Sequence, residues 1–224
     1  MATERVGRPD VLVGEFLPEP ARRERSRRAR EALIDAALVR FAANGYDATT
    51  VEEIARHAGV AVGGFYLHFR SKRQVLLLLV DRLLLELDSA PIDARPDDAA
   101  RIIECIRGCF NSLWKHAGVY RAWREATLRD ASLAVLHERI ESWTTKRIAA
   151  ALNAAAATPG ARAGVDVAAL SSILSVIFLR LLEAQVPDRA ALSETVVAVI
   201  RHALFPGGGT EPAGPGPLTR AESR

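Results

Sequence analysis

The stretch TTVEEIARHAGVAVGGFYLHFRSK, residues 49–72, compresses several helix starts and stops into two dozen residues between two long helical segments. Thr50 and Glu53 have the spacing of a capping box, in which a hydroxyl and a carboxylate each accept a bond from an unsatisfied N–H of the first turn. They open a helix of about two turns that Gly59 stops by supplying a positive φ. Val60 then starts a second short helix that ends near Phe69. Ser71 and Gln74 repeat the capping pattern and open SKRQVLLLLVDRLLLELDS, a long apolar helix reaching about Leu87. Before the stretch, Ala29, Leu33, Ala36, Ala37, Val39 and Phe41 form a broad apolar stripe over about 23–44, with Gly45 as the stop.

Two short helices joined by a tight HAGV turn, with a longer helix on each side, form a helix-turn-helix inside a three-helix core. A helix that lies in the major groove has to be short and to enter at a fixed angle, with its predecessor pinned across the backbone. Val51, Ile54, Ala55, Val60, Phe65 and Phe69 are the residues expected to hold the pair onto the first helix. The net charge is only +3, but residues 21–30, ARRERSRRAR, carry six arginines against one glutamate. Leading straight into the motif, that run reads either as a solvated face or as a phosphate-contacting arm, with Arg25 and Arg28 as candidate contacts.

The rest of the chain is read as helices near 97–116, 118–128, 131–157, 166–185 and 188–205, with no convincing strand, so the fold class is all-α. The 224 residues, 49% of them apolar, suffice for a full core. Pro9, Pro18 and Pro20 mark residues 1–20 as a disordered leader, and APIDARPDDA after the long helix marks a domain boundary. The expected organisation is a leader 1–20, a DNA-binding head 21–87, a helical body 88–205 and a disordered tail 206–224. No uninterrupted apolar run reaches 18 residues and the first 20 residues are charged, which implies a soluble, cytoplasmic protein. Cys105 and Cys109, four apart in a helix, are badly placed for a structural disulfide and read as core fillers or as a reactive pair.

Phe41, Gly45, Tyr46, Thr49, Thr50, Val51, Ile54, Ala55, Ala58, Gly59, Val60, Gly63, Phe65, Tyr66, His68, Phe69, Ser71 and Lys72 stand at fixed spacing. On these residues the chain resembles the TetR/AcrR family of transcriptional repressors over about residues 25–87. The resemblance implies a homodimer whose heads read DNA and whose divergent helical bodies bind a small effector. Carried over by position, it implies DNA contact by Thr49 and Thr50, by Tyr66, His68 and Lys72 at phosphates, and close backbone approach at Gly63. Ala61, Val62 and Gly64 would also face DNA, yet they depart from the family's more polar pattern. Val62 meets a thymine methyl but cannot read guanine by hydrogen bonds.

In the body, aromatic and polar residues on adjoining helices define a candidate effector pocket: Phe110, Asn111, Trp114, Tyr120, Arg121, Trp123, Arg124, His137 and Trp143, with Glu125 beside them. An apolar effector of modest size is the expectation. The segment from Val165 to Leu204 reads as apolar nearly all round, so Leu170, Ile173, Leu174, Ile177, Val196, Val197 and Ile200 are candidates for a dimer interface. No H-x-x-x-H pair, Gly-flanked serine or phosphate-cradling loop occurs, so no catalytic residue, cofactor or metal is expected. Two other readings stay open at this point: an enzyme using His116 or His137 beside carboxylates, and a helical ligand-binding dimer with weak or non-specific DNA binding.

Overall fold

The structure, a computed structural model, describes residues 7–16, 18, 24–89, 99–183 and 188–205. Among them every regular element is a helix: α1 (Glu24–Asn44), α2 (Val51–His57), α3 (Val62–Tyr66), α4 (Lys72–Ser89), α5 (Ala99–Lys115), α6 (Ala117–Thr127), α7 (Ala131–Ala156), α8 (Val167–Glu183) and α9 (Arg189–Leu204). The domain boundary read at 90–99 lies, but for Ala99, outside the described residues, as do the tail 206–224 and the side chains of Cys105 and Cys109. No described helix is long and apolar enough to cross a membrane.

The head forms as its capping pattern dictates. Thr50 Oγ1 accepts from Glu53 N–H at 3.2 Å while Glu53 Oε2 accepts from Thr50 N–H at 3.0 Å, so both halves of the box are made. Gly59 stops α2 with φ +66° and Gly45 stops α1 with φ +81°. Helix α3 is shorter than its predicted span of 60–69. Ala61 provides no side-chain cap, and the paired glycines that follow have the lowest helix propensity short of proline. Leu33, Ile34, Phe41, Ile54, Phe65 and Phe69 are fully buried and join α1, α2 and α3 to Val75 and Leu76 of α4.

Head and body share one continuous apolar core, because α6 packs directly on α1 and α4. Helices α6 and α1 approach closely at Gly118, where an added Cβ would lie 2.4 Å from Ala42 Cβ and 2.7 Å from its Cα. Gly118→Ala is therefore expected to destabilise the protein by about 1–3 kcal/mol through overpacking. Denaturant unfolding at constant m checks this.

The leader differs from its reading. Residues 7–16 lie against α4: Val11 is buried, Arg8 pairs with Asp81 and Glu15 pairs with Arg73. Gln74 Nε2 donates to Phe16 O at 3.0 Å and the Arg70 guanidinium sits 4.4 Å from the Phe16 ring centroid. A segment without helical or strand period is ordered here by charge complementarity and one buried valine, which periodicity does not detect.

Candidate nucleic-acid interface and cavity

Of the residues expected to meet DNA, Arg25, Arg28, Thr50, Ala61, Val62, Gly63 and Tyr66 are exposed, and Gly64 is half-buried. Arg28 is held only by an exposed pair with Glu24 at 2.9 Å, an interaction that salt screens and a phosphate can replace. The remaining three turn inward. Thr49 is fully buried, its hydroxyl donating to Gly45 O at 2.7 Å. His68 is buried behind the motif, its carbonyl accepting from Arg30 at 3.0 Å; burial first, and the Arg30 charge second, push its pKa below the ordinary histidine value. Arg30 itself, the last arginine of the basic run, is buried with its guanidinium 4.5 Å from the Phe69 ring centroid, so it braces the fold rather than facing solvent.

Lys72 differs most from its expected role. Its Nζ donates to the carbonyls of Tyr46 at 2.7 Å, Asp47 at 3.1 Å and Thr49 at 2.8 Å, and lies 4.4 Å from the Tyr46 ring centroid. An ammonium has three donors, so none is left for a phosphate. Burial lowers its pKa, against the nearby carboxylates of Asp47, Glu125 and Glu53. Lys72 thus gathers the α1–α2 loop against the start of α4.

The same loop is held from the other side by the body. Glu125 on α6 accepts from Tyr46 N–H at 2.6 Å and Asp47 N–H at 3.2 Å, while Arg121 donates to Ala42 O at 3.3 Å and Arg129 pairs with Asp47 at 2.7 Å. Gly45 makes room for that carboxylate, since a Cβ there would stand 2.4 Å from Glu125 Oε2. Sequence reading grouped Arg121 and Glu125 with the pocket; they face the head instead.

A cavity of about 570 Å³ lies among α6, α7 and α8, lined by Tyr120, Glu141, Thr145, Ser172, Ser175, Val176, Leu179, Arg180 and Glu183. Tyr120 Oη and Ser175 Oγ are buried in its wall without a hydrogen-bond partner, and burial raises the Tyr120 pKa. An unpaired buried hydroxyl is costly, so these two groups suit a molecule that brings its own donor or acceptor. His137 stands just behind. Its Nδ1 accepts from Trp123 Nε1–H at 3.1 Å, which assigns the proton of the neutral ring to Nε2, 3.0 Å from Glu141 Oε1 but off the line of a satisfied bond. Burial lowers the His137 pKa and outweighs the opposing pull of Glu141. Arg124 Nε donates to Glu183 Oε1 at 2.7 Å and Arg180 to its other oxygen at 2.9 Å, closing one wall.

Among the described side chains of the expected pocket residues, Tyr120 alone lines this cavity. Arg124 and His137 support the wall; Trp123 and Trp143 are core; Trp114 donates to Ser193 Oγ at 2.7 Å in the α5–α9 seam, and Asn111, also on α5, is exposed. The Phe110 side chain lies outside the described residues. Among the lining residues that sequence reading missed, Ser172 and Ser175 carry a signal, since they interrupt a helix that reads as apolar nearly all round. Among the described residues no group of three or more His, Cys, Asp or Glu side chains is arranged to hold a metal ion.

Of the residues expected at a dimer interface, Ile173 and Ile177 stand outward and Leu170 is half-buried. Leu174, Val196, Val197 and Ile200 instead belong to the core of the chain itself. Val176 on α8 and Val199 on α9 also stand outward.

Comparison with known proteins agrees with this geometry. Residues 33–79 match the model of bacterial regulatory proteins of the tetR family. An uncharacterised HTH-type transcriptional regulator of Pseudomonas putida, TtgW, is 43% identical over 68 residues, covering 30% of this chain and 51% of that protein. EthR of Mycolicibacterium smegmatis is 37% identical over 83 residues, 34% of this chain and 37% of that protein. The chain thus spans about half or less of the length of these curated relatives. A solved SmeT–triclosan complex is 25% identical and covers 86% of this chain and 99% of that one at a TM-score of 0.60. The curated relatives are HTH-type transcriptional regulators. With its capped helix-turn-helix, the chain matches bacterial regulatory proteins of the tetR family over residues 33–79, and its all-helical fold is similar to that of SmeT.

Proposed function

We propose that the chain is a homodimeric, cytoplasmic repressor that binds a near-palindromic operator through its head, residues 24–89, and is released when a small molecule enters the cavity of its body. The observation that carries this reading is the double role of α6. One helix places Tyr120 in the cavity wall and Arg121 and Glu125 on the head. A ligand that satisfies Tyr120 Oη and Ser175 Oγ displaces α6, and with it the loop leading into α2. The outward apolar residues Ile173 and Ile177 of α8, with Val199 of α9, are the surface offered to a second copy. A two-fold dimer then reads half-sites roughly 34–36 Å apart, and tilting the heads breaks that match.

The fitting ligand is amphipathic: apolar against Val176 and Leu179, hydrogen-bonding at Tyr120 and Ser175, with a donor group toward Glu141. SmeT, a structural relative, is described as the repressor of a multidrug efflux pump and is solved with triclosan, which supports a cavity of this class.

The test is recovery of sequences from randomised duplex DNA at physiological salt, with the mass of the protein in solution measured alongside. A near-palindromic motif and a dimer are expected; uniform recovery overturns operator reading and leaves a ligand-binding helical protein with non-specific DNA affinity. Compounds that release the operator are then titrated against Tyr120→Phe. Loss of one hydrogen bond is expected to weaken them about fivefold, with unchanged operator affinity in their absence.

A further inference from the structure

The exposed residues of α3 and its two caps are Ala61, Val62, Gly63, Tyr66 and Leu67. Val62 is 37% exposed and Leu67, which follows the last helical residue, is 75% exposed, more than Tyr66 at 53%. Neither valine nor leucine is needed outward for packing, since Phe65 and Phe69 supply the core contact. Gly63 has nothing within 4 Å of a built Cβ, so internal crowding does not explain a glycine there; an outside surface that comes close to the backbone does. Helix α3 therefore has a single side-chain hydroxyl and no amide, carboxylate or guanidinium with which to read a base edge. Arg25, Arg28 and Arg56, all exposed on α1 and α2, carry the charge that a phosphate backbone requires.

We infer that this head selects its operator by apolar contact with thymine C5-methyl groups in the major groove, made by Val62 and Leu67, in place of hydrogen bonds to guanine or adenine. The inference rests on the head docking in the major groove as proposed above. Thymine alone among the four bases presents a methyl group there, so an apolar reader with close backbone approach at Gly63 has one base to prefer. Each half-site is accordingly expected to carry thymine opposite α3.

Deoxyuridine in place of thymine tests this directly, because it removes the methyl group and keeps the base pair. With the operator recovered from randomised duplex, thymines of each half-site are replaced singly and then in symmetric pairs. Removal of the contacted methyl is expected to weaken binding about fourfold, and about fifteenfold when both half-sites are changed. Val62→Ala and Leu67→Ala, exposed positions that leave the core intact, are expected to bind thymine and deoxyuridine operators alike. Inosine for guanine, which alters only the minor groove, is expected to have no effect. A recovered motif that binds equally well with deoxyuridine throughout overturns the inference and leaves the operator-reading function standing. A motif that responds to inosine instead assigns the reading to a minor-groove arm. Failure to recover any motif sinks both.

Discussion

Lys72→Met is expected to lower the unfolding free energy by about 3 kcal/mol, because a charge that bonds three loop carbonyls is worth more than an exposed ion pair. Methionine preserves the apolar stem and part of the contact with Tyr46, so the loss isolates the ammonium. Operator affinity is expected to fall as well, since the loop that Lys72 gathers runs into Thr50 and the capping box that starts α2. The salt dependence separates this role from direct contact. If Lys72 met a phosphate in each half-site, its loss would reduce the slope of log affinity against log salt by about two. A structural lysine leaves that slope unchanged while the thermal midpoint drops. Unfolding and salt titration of the one variant therefore decide between the reading from sequence and the reading from geometry. A stable variant with a reduced slope would return Lys72 to the phosphate backbone.

Local rules wrote most of the head. Thr50 and Glu53 needed only each other, and Gly45 and Gly59 needed only their own φ, so each was legible from a few neighbouring residues. Which side of the molecule a residue faces is a different kind of information. Thr49, His68 and Lys72 carry polar groups at positions that read as surface, yet their partners are Gly45 O, burial beside Arg30, and three carbonyls more than 20 residues away. The same limit applies in the body. Glu125 reads as a pocket residue because polar groups interleave with aromatics along α6, but its carboxylate reaches the backbone of the head. Leu174, Val196, Val197 and Ile200 are apolar like Ile173 and Ile177, and only the packing distinguishes inner from outer. Ordering of residues 7–16 depends on Asp81, Arg73 and Gln74 of α4, which no local pattern announces.

Glu125→Ala is expected to separate the two halves of the proposed switch. Its carboxylate is the acceptor for two backbone N–H groups at the end of α1, Tyr46 at 2.6 Å and Asp47 at 3.2 Å, and alanine leaves both to water. Charge-assisted bonds of this kind are each worth about 1.5–3 kcal/mol, and relaxation of the loop recovers part, so a net loss of about 2 kcal/mol in stability is expected. The effect on regulation is larger in consequence. If α6 conveys cavity occupancy to the head through this contact, a releasing compound changes operator affinity by about 5–150-fold in the unaltered protein. In the Glu125→Ala protein the same compound is expected to bind with affinity closer to that of the DNA-free form and to change operator affinity by less than about threefold. Reciprocity makes the measurement self-checking, because the operator must then also lose its effect on compound binding by the same factor. Isothermal titration of compound with and without operator reads both sides of that cycle. Full coupling in the variant would exclude this contact as the route, and would shift attention to the packing of α6 on α4 and to Gly118 against Ala42.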